Sequence, residues 1–140
     1  MIRFDEIVVG ASLPERSLLV TREALKAYAD AGGDHNPLHR DDDFARRVGF
    51  DGIIAHGMFS MGNLAHCLVD WIGDPSPITR MKAPFRALVF PGDTITAGGR
   101  VRALDHRTRT ALLDLRVTVP RDGNLEEAIR RGEAEIRFPM

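Results

Sequence analysis

Residues 28–61 read YADAGGDHNPLHRDDDFARRVGFDGIIAHGMFSM, and the last part of this stretch decides the fold. From His56 to Val69 the chain carries no Asp, Glu, Lys or Arg. Met58, Met61, Ala65, Leu68 and Ile72 recur at intervals of three and four, the spacing of one helical face. Phe59, Leu64, Cys67 and Val69 fill other faces, so the segment predicts a helix that is apolar nearly all round and therefore buried. It is shorter than the roughly 20 residues a membrane span needs. Gly73-Asp74-Pro75 ends it.

Toward the N-terminus, Thr21 is placed to cap a helix containing Ala24, Leu25, Ala27, Tyr28 and Ala29, which Gly32-Gly33 stops. Pro37 pins the chain and pushes Asn36 out of helical geometry, so Asp34 to His39 form a shaped loop. Asp41-Asp42-Asp43 predict the capped, negatively charged start of a short helix through Val48, closed by Gly49. Phe50 to Ala55 reads as a connector hinged at Gly52. Residues 1–20 hold short apolar runs, Ile7-Val8-Val9 and Leu18-Leu19-Val20, and read as a β-lead or a loose arm.

Beyond the central helix the period changes to two. Met81, Ala83, Phe85 and Ala87 alternate with Arg80, Lys82, Pro84 and Arg86. Ile95, Ala97, Val101 and Ala103, then Leu113, Leu115, Val117 and Val119, then Ala134, Ile136 and Phe138 repeat the pattern. Turn signals at Pro91-Gly92-Asp93 and Asp122-Gly123-Asn124 separate such segments, predicting an antiparallel sheet with one apolar face. Glu126 to Arg131 scores as helix by itself, which leaves the start of the last strand open. The architecture expected is α+β, one domain over residues 1–140, with an antiparallel sheet wrapped around a long central helix. Edge strands of such a sheet pair readily with a second copy, so a dimer is expected.

The 140 residues are enough for one domain with a real core; 44% are apolar and 28% charged, as in globular rather than disordered chains. A net charge of −1 gives no general attraction to nucleic acid or to an anionic membrane. Cys67 has no partner for an intrachain disulfide, and the N-terminus shows no basic and apolar leader. A cytoplasmic location is expected.

Two pieces carry candidate chemistry. Asp34 and His39 place a carboxylate and an imidazole on one loop, where the acid orients and tunes the base and both could grip one water. Asp and Asn in a polar turn bonding their own backbone would look the same. His56-Gly57 opens the apolar helix, where free backbone N–H groups and a missing side chain favour a developing negative charge. Other templates fail. His35 and His39 have the spacing of a helical metal pair, but Pro37 lies between them. No phosphate-binding Gly-Lys-Ser follows Gly33, and Ser60 has no triad partner. Arg80, Lys82, Arg86, Arg100, Arg102, Arg107 and Arg109 could meet phosphates or an acidic carrier, or form a solvated strand face.

Joined in order, Tyr28, then Gly33-Asp34-x-Asn36-Pro37-Leu38-His39, then Phe44-Ala45, then Ala55-His56-Gly57-Met58 resemble the hydratase motif of MaoC-like hot-dog dehydratases. Phe85 and Pro91-Gly92-Asp93-Thr94 are similar to that family's strand and turn, and the likeness runs over about residues 15–138. Within that family the chain resembles (R)-specific enoyl-CoA hydratases and catalytic subunits of 3-hydroxyacyl-carrier-protein dehydratases, and Trp71-Ile72-Gly73-Asp74-Pro75 is similar to the latter. The resemblance implies a hot-dog fold, pairing into a homodimer or with a related hot-dog subunit, and reversible syn hydration of trans-2-enoyl thioesters of CoA or an acyl carrier protein, without cofactor or metal. It implies that Asp34 and His39 handle the water and that the Gly57 N–H holds the thioester oxygen. Asn36, His56 and Met58 would support the loop or the substrate. A hot-dog thioesterase and a non-catalytic partner subunit share the same fold. Some members carry a serine eight residues after the oxyanion glycine, where this chain has Ala65.

Overall fold

The computed structural model describes residues 1–140. After a single 3-10 turn at Phe4–Glu6 the elements are β1 Arg16–Leu19, α1 Arg22–Gly32, α2 Asp42–Arg47 and α3 Gly57–Ile72. Four strands follow: β2 Ile78–Lys82, β3 Thr94–Asp105, β4 Thr110–Arg121 and β5 Asn124–Arg137. They form one antiparallel five-stranded sheet in the order β1-β3-β4-β5-β2, with the short β1 and β2 at its edges. This is the α+β, helix-and-curled-sheet architecture expected of a hot-dog domain. No helix is long and apolar enough to cross a membrane.

Local chemistry explains the helix ends. The Thr21 hydroxyl accepts the Ala24 N–H at 3.0 Å, and Gly33 closes α1 in the left-handed region at φ 74°. An Asp41 carboxylate oxygen caps α2 through the Phe44 N–H at 3.1 Å. Gly73, at φ 86°, ends α3. The sheet grips α3 through Leu64, Cys67, Leu68 and Ile72, all fully buried against Ile95, Val101, Leu113, Val117, Ile129 and Ile136. The helix is not apolar-covered all round, however. Met58, Gly62, His66 and Asp70 form an exposed stripe, because the sheet wraps one side only.

Three local expectations shift. Ile7-Val8-Val9 does not form a strand: Ile7 is buried, and Val8 and Val9 lie exposed. Gly52 keeps an ordinary backbone and serves a close approach, since a Cβ there would sit 3.1 Å from Asp42 Oδ1. Glu126 to Arg131 is strand. There β5 is hydrogen-bonded to β4 on one side and to residues 84–87 on the other, through Arg86 N to Ala128 O and Ala87 N to Glu127 O. Pairing on both edges outweighs a helix propensity worth a few tenths of a kcal/mol per residue. Two irregularities interrupt the pairing of β5 with β4, one around Arg131 at φ 55° and one at Ala128, and the second lets Ala128 and Ile129 both turn inward. At the β4–β5 hairpin Asp122 and Gly123 both adopt positive φ, as the tightest hairpin turns require.

Candidate active site

The loop after α1 is folded by its own polar groups. The Asn36 N–H donates to Asp34 Oδ1 at 3.3 Å, and Asn36 Oδ1 accepts the Leu38 N–H at 3.0 Å. Pro37 then starts a 3-10 turn, Pro37–His39, closed by His39 N donating to Asn36 O at 3.0 Å. These bonds leave Asp34 Oδ2 free and point it toward His39.

His39 is held from behind. Its Nδ1 lies 2.7 Å from the Ile54 carbonyl, which can only accept, so Nδ1 carries the proton. That assignment leaves Nε2 with its lone pair facing Asp34 Oδ2 at 4.0 Å. The separation is too long for a direct hydrogen bond and suits one bridging water. The two side chains differ in setting: His39 is 12% exposed and Asp34 53%.

His56 lies under the pair. It is 2% exposed, and its ring stacks on His39 at 3.9 Å between centroids, with planes 26° apart. Tyr28 packs on it at 4.9 Å. Its Nε2 donates to the Asp34 carbonyl at 3.2 Å, and its buried Nδ1 has no partner. Burial first, and the neighbouring His39 second, hold this imidazole below the ordinary histidine range, against the opposing pull of the Asp34 carbonyl bond and charge.

Gly57 is the first residue of α3, so its N–H has no intrahelical acceptor. A Cβ at this position would lie 3.0 Å from the Phe85 ring, so glycine is what allows Phe85 to close over the helix start. His39, His56, Gly57, Ser60, Phe85 and Leu88 are among the residues lining a cavity of about 220 Å³, and most of its lining is hydrophobic. The connector is tied to the stretch after β2 by Ala55 N donating to Val89 O at 2.7 Å, and to the loop at residues 34–39 by Ile54 N donating to Leu38 O at 3.3 Å.

The structure thus brings Asp34, His39, His56 and Gly57 together at one end of α3, with Asn36 folding the loop. Met58 lies outside the group, 53% exposed on the outer stripe of the helix. His35 faces away, into an open hollow with Pro37, Arg40 and Asp41 to Asp43. Sequence reasoning missed the Ile54 carbonyl, Phe85 over Gly57, and Ser60, buried one turn along from Gly57. Phe85 stood out in the sequence as part of a family-like strand, without a sign of its place over Gly57, and Ser60 only by its three-residue spacing from the glycine.

Asp34, His39 and His56 each offer an atom within 4.8 Å of the others, the composition of a metal site. The geometry does not fit one. A metal lies in the plane of each imidazole at about 2.0–2.1 Å, and stacked rings only 26° from parallel do not aim at a common point. His39 Nδ1 and His56 Nε2 are also occupied by carbonyls.

Comparison with known proteins adds the context. The pattern of the MaoC like domain matches residues 6–120. A peroxisomal enoyl-CoA hydratase 2 of Arabidopsis thaliana is 31% identical over 94 residues, covering 62% of this chain and 30% of that protein. The chain therefore spans less than a third of that relative. The (R)-specific enoyl-CoA hydratase of Rhodospirillum rubrum is 28% identical over 137 residues, covering 97% of this chain and 91% of the other. Among solved structures, an (R)-hydratase from A. caviae involved in PHA biosynthesis superposes with a TM-score of 0.85 at 27% identity, covering 96% of this chain and 98% of that one.

Proposed function

This chain belongs to the MaoC-like domain family, and on that premise we propose that it hydrates trans-2-enoyl thioesters reversibly to (3R)-3-hydroxyacyl thioesters. The observation that carries the reading is the pairing of Asp34 Oδ2 with a His39 Nε2 whose tautomer is set from behind, beside the unbonded N–H of Gly57.

In this reading a water sits between the carboxylate and Nε2. Its oxygen attacks C3 of the enoyl thioester as the pair takes up one of its protons. Negative charge moves onto the thioester oxygen, where the Gly57 N–H and the start of α3 receive it. The pair returns a proton to C2 on the same face, giving syn addition with atoms and charge balanced. The hydrophobic lining of the cavity, Phe85, Leu88 and Val89 within it, takes the acyl chain. The carrier is CoA or an acyl carrier protein, and the active form is a dimer of this chain or a pair with a related hot-dog subunit. A cytoplasmic location agrees with a single, buried, unpaired cysteine.

Incubation with crotonyl-CoA tests this. The conjugated thioester absorbance should fall without release of thiol, and the product should have the 3R configuration. Thiol released without hydration would make the protein a thioesterase and contradict the proposal.

A further inference from the structure

His56 lines the cavity beside His39 yet is almost wholly buried, and the hydratase chemistry above gives it no proton to move. Its contacts nevertheless reach every part of that chemistry. Through Nε2–H it holds the main chain of Asp34 at 3.2 Å. Through its face it supports the His39 ring at 3.9 Å. Through its backbone, extended at φ −60° and ψ 138°, it is the residue that launches α3 and so aims the Gly57 N–H. Tyr28 of α1 packs against the His56 ring at 4.9 Å.

We infer that His56 is a positioning residue, a buried imidazole clamp that ties the Asp34/His39 loop to the helix start carrying Gly57. The clamp sets the distance between the groups that handle water and the group that receives the charge. A helix start normally spends its capping side chain on its own N–H groups, and the His56 side chain makes no such cap. Its polar atom is committed to the loop instead. Stacking requires both faces to be compatible: a neutral His56 accepts a neighbouring His39 that gains a proton during turnover, whereas a charged one would repel it. The unpaired Nδ1 is consistent with this, because the opposite tautomer would bury an unsatisfied N–H and lose the bond to Asp34.

The inference rests on the hydratase reading for its kinetic consequences, and the two fail separately. Three variants divide the clamp: His56→Ala removes ring and donor, His56→Phe keeps a ring without a donor, and His56→Gln keeps a donor without a ring. With crotonyl-CoA, His56→Ala should lower kcat by about 100-fold, the effect of misplacing reacting groups by about 1 Å, with KM within about threefold of wild type. Phe and Gln should each recover part of the loss. Wild-type kcat in folded His56→Ala, or a loss that falls on KM alone, overturns the inference. So does a loss that neither Phe nor Gln relieves while both remain folded. Nitrogen-15 NMR of the wild-type histidines reads the clamp without activity. It should show His56 as the neutral Nε2–H tautomer at pH 7, and an Nδ1–H tautomer or an imidazolium overturns it. A wild-type protein that hydrates no enoyl thioester sinks the functional reading, and the NMR result still decides the clamp.

Discussion

The outer face of the sheet and the loop at the end of α3 are both rich in charged and polar groups, and they use them in opposite ways. On the sheet, Arg102 lies 3.3 Å from Asp114 and 3.1 Å from Glu133, Arg116 3.2 Å from Glu15, and Arg137 3.4 Å from Glu135. Each charge is answered by its neighbour and washed by solvent. At the loop, Asp34, His39 and His56 are pinned only on their far sides, by the Asn36 N–H, the Ile54 carbonyl and the Asp34 carbonyl. On the other side Asp34 Oδ2 and His39 Nε2 face each other 4.0 Å apart without a direct bond, and His39 and His56 line the cavity. Polar groups satisfied among themselves make a surface; polar groups held from behind and left open in front are available to a substrate. Arg102, one of the arginines that from sequence could have met phosphates, belongs to the first kind.

The sharpest way to break this contrast is to damage the open pair. Asp34→Asn should cost about 100- to 10,000-fold in kcat on an enoyl thioester, as measured by absorbance loss, since it removes a positioned acid/base group. The next effect in size comes from the helix start. Gly57→Ala keeps the N–H but pushes a methyl into Phe85, 3.0 Å away, and should lower kcat by less than the roughly 100- to 1,000-fold that follows outright loss of such a donor.

Stability should follow the sheet instead. A Cβ at Gly99 would overlap the Asp114 carbonyl oxygen and lie 2.8 Å from Leu115 Cδ2, inside the β3–β4 pairing. Gly99→Ala should lower unfolding stability in urea by about 1–3 kcal/mol, with kcat of the folded fraction unchanged. A smaller, pH-dependent effect belongs to His56. Because burial depresses its native pKa, the unfolded chain takes up a proton that the native chain refuses as pH drops below about 6.5. Its contribution to stability is complete above that pH and shrinks below it. The fall in melting temperature between pH 7.5 and 5.5 should therefore be smaller in His56→Gln than in wild type. Smallest of all, Arg102→Met should change urea stability by no more than about 1 kcal/mol and leave kcat alone, because exposed ion pairs contribute little.

What was legible in the sequence was mostly local. Thr21, Gly33, Asp41 and Gly73 act within one turn of where they stand, so the helix boundaries could be read from them. Asp34 and His39 could be paired because Pro37 keeps their loop short. Segment 126–131 could not be read alone, because its strand state comes from partners in β4 and in residues 84–87, far along the chain. The exposed stripe of α3 was hidden for the same reason: an apolar sequence does not say which side a sheet will cover. In the site, the Ile54 carbonyl that sets the His39 tautomer and the Phe85 ring over Gly57 are backbone and tertiary features with no residue pattern of their own. Ser60 was visible only through its three-residue spacing from Gly57, with no triad partner to give it a role.

The most direct test of the account is the kcat of folded His39→Ala on crotonyl-CoA, measured beside wild type at pH 7.5. A fall of at least about 100-fold, with the circular dichroism spectrum intact, is the predicted result. A rate within about threefold of wild type would mean that Nε2 of His39 does not handle the water, and would contradict the account.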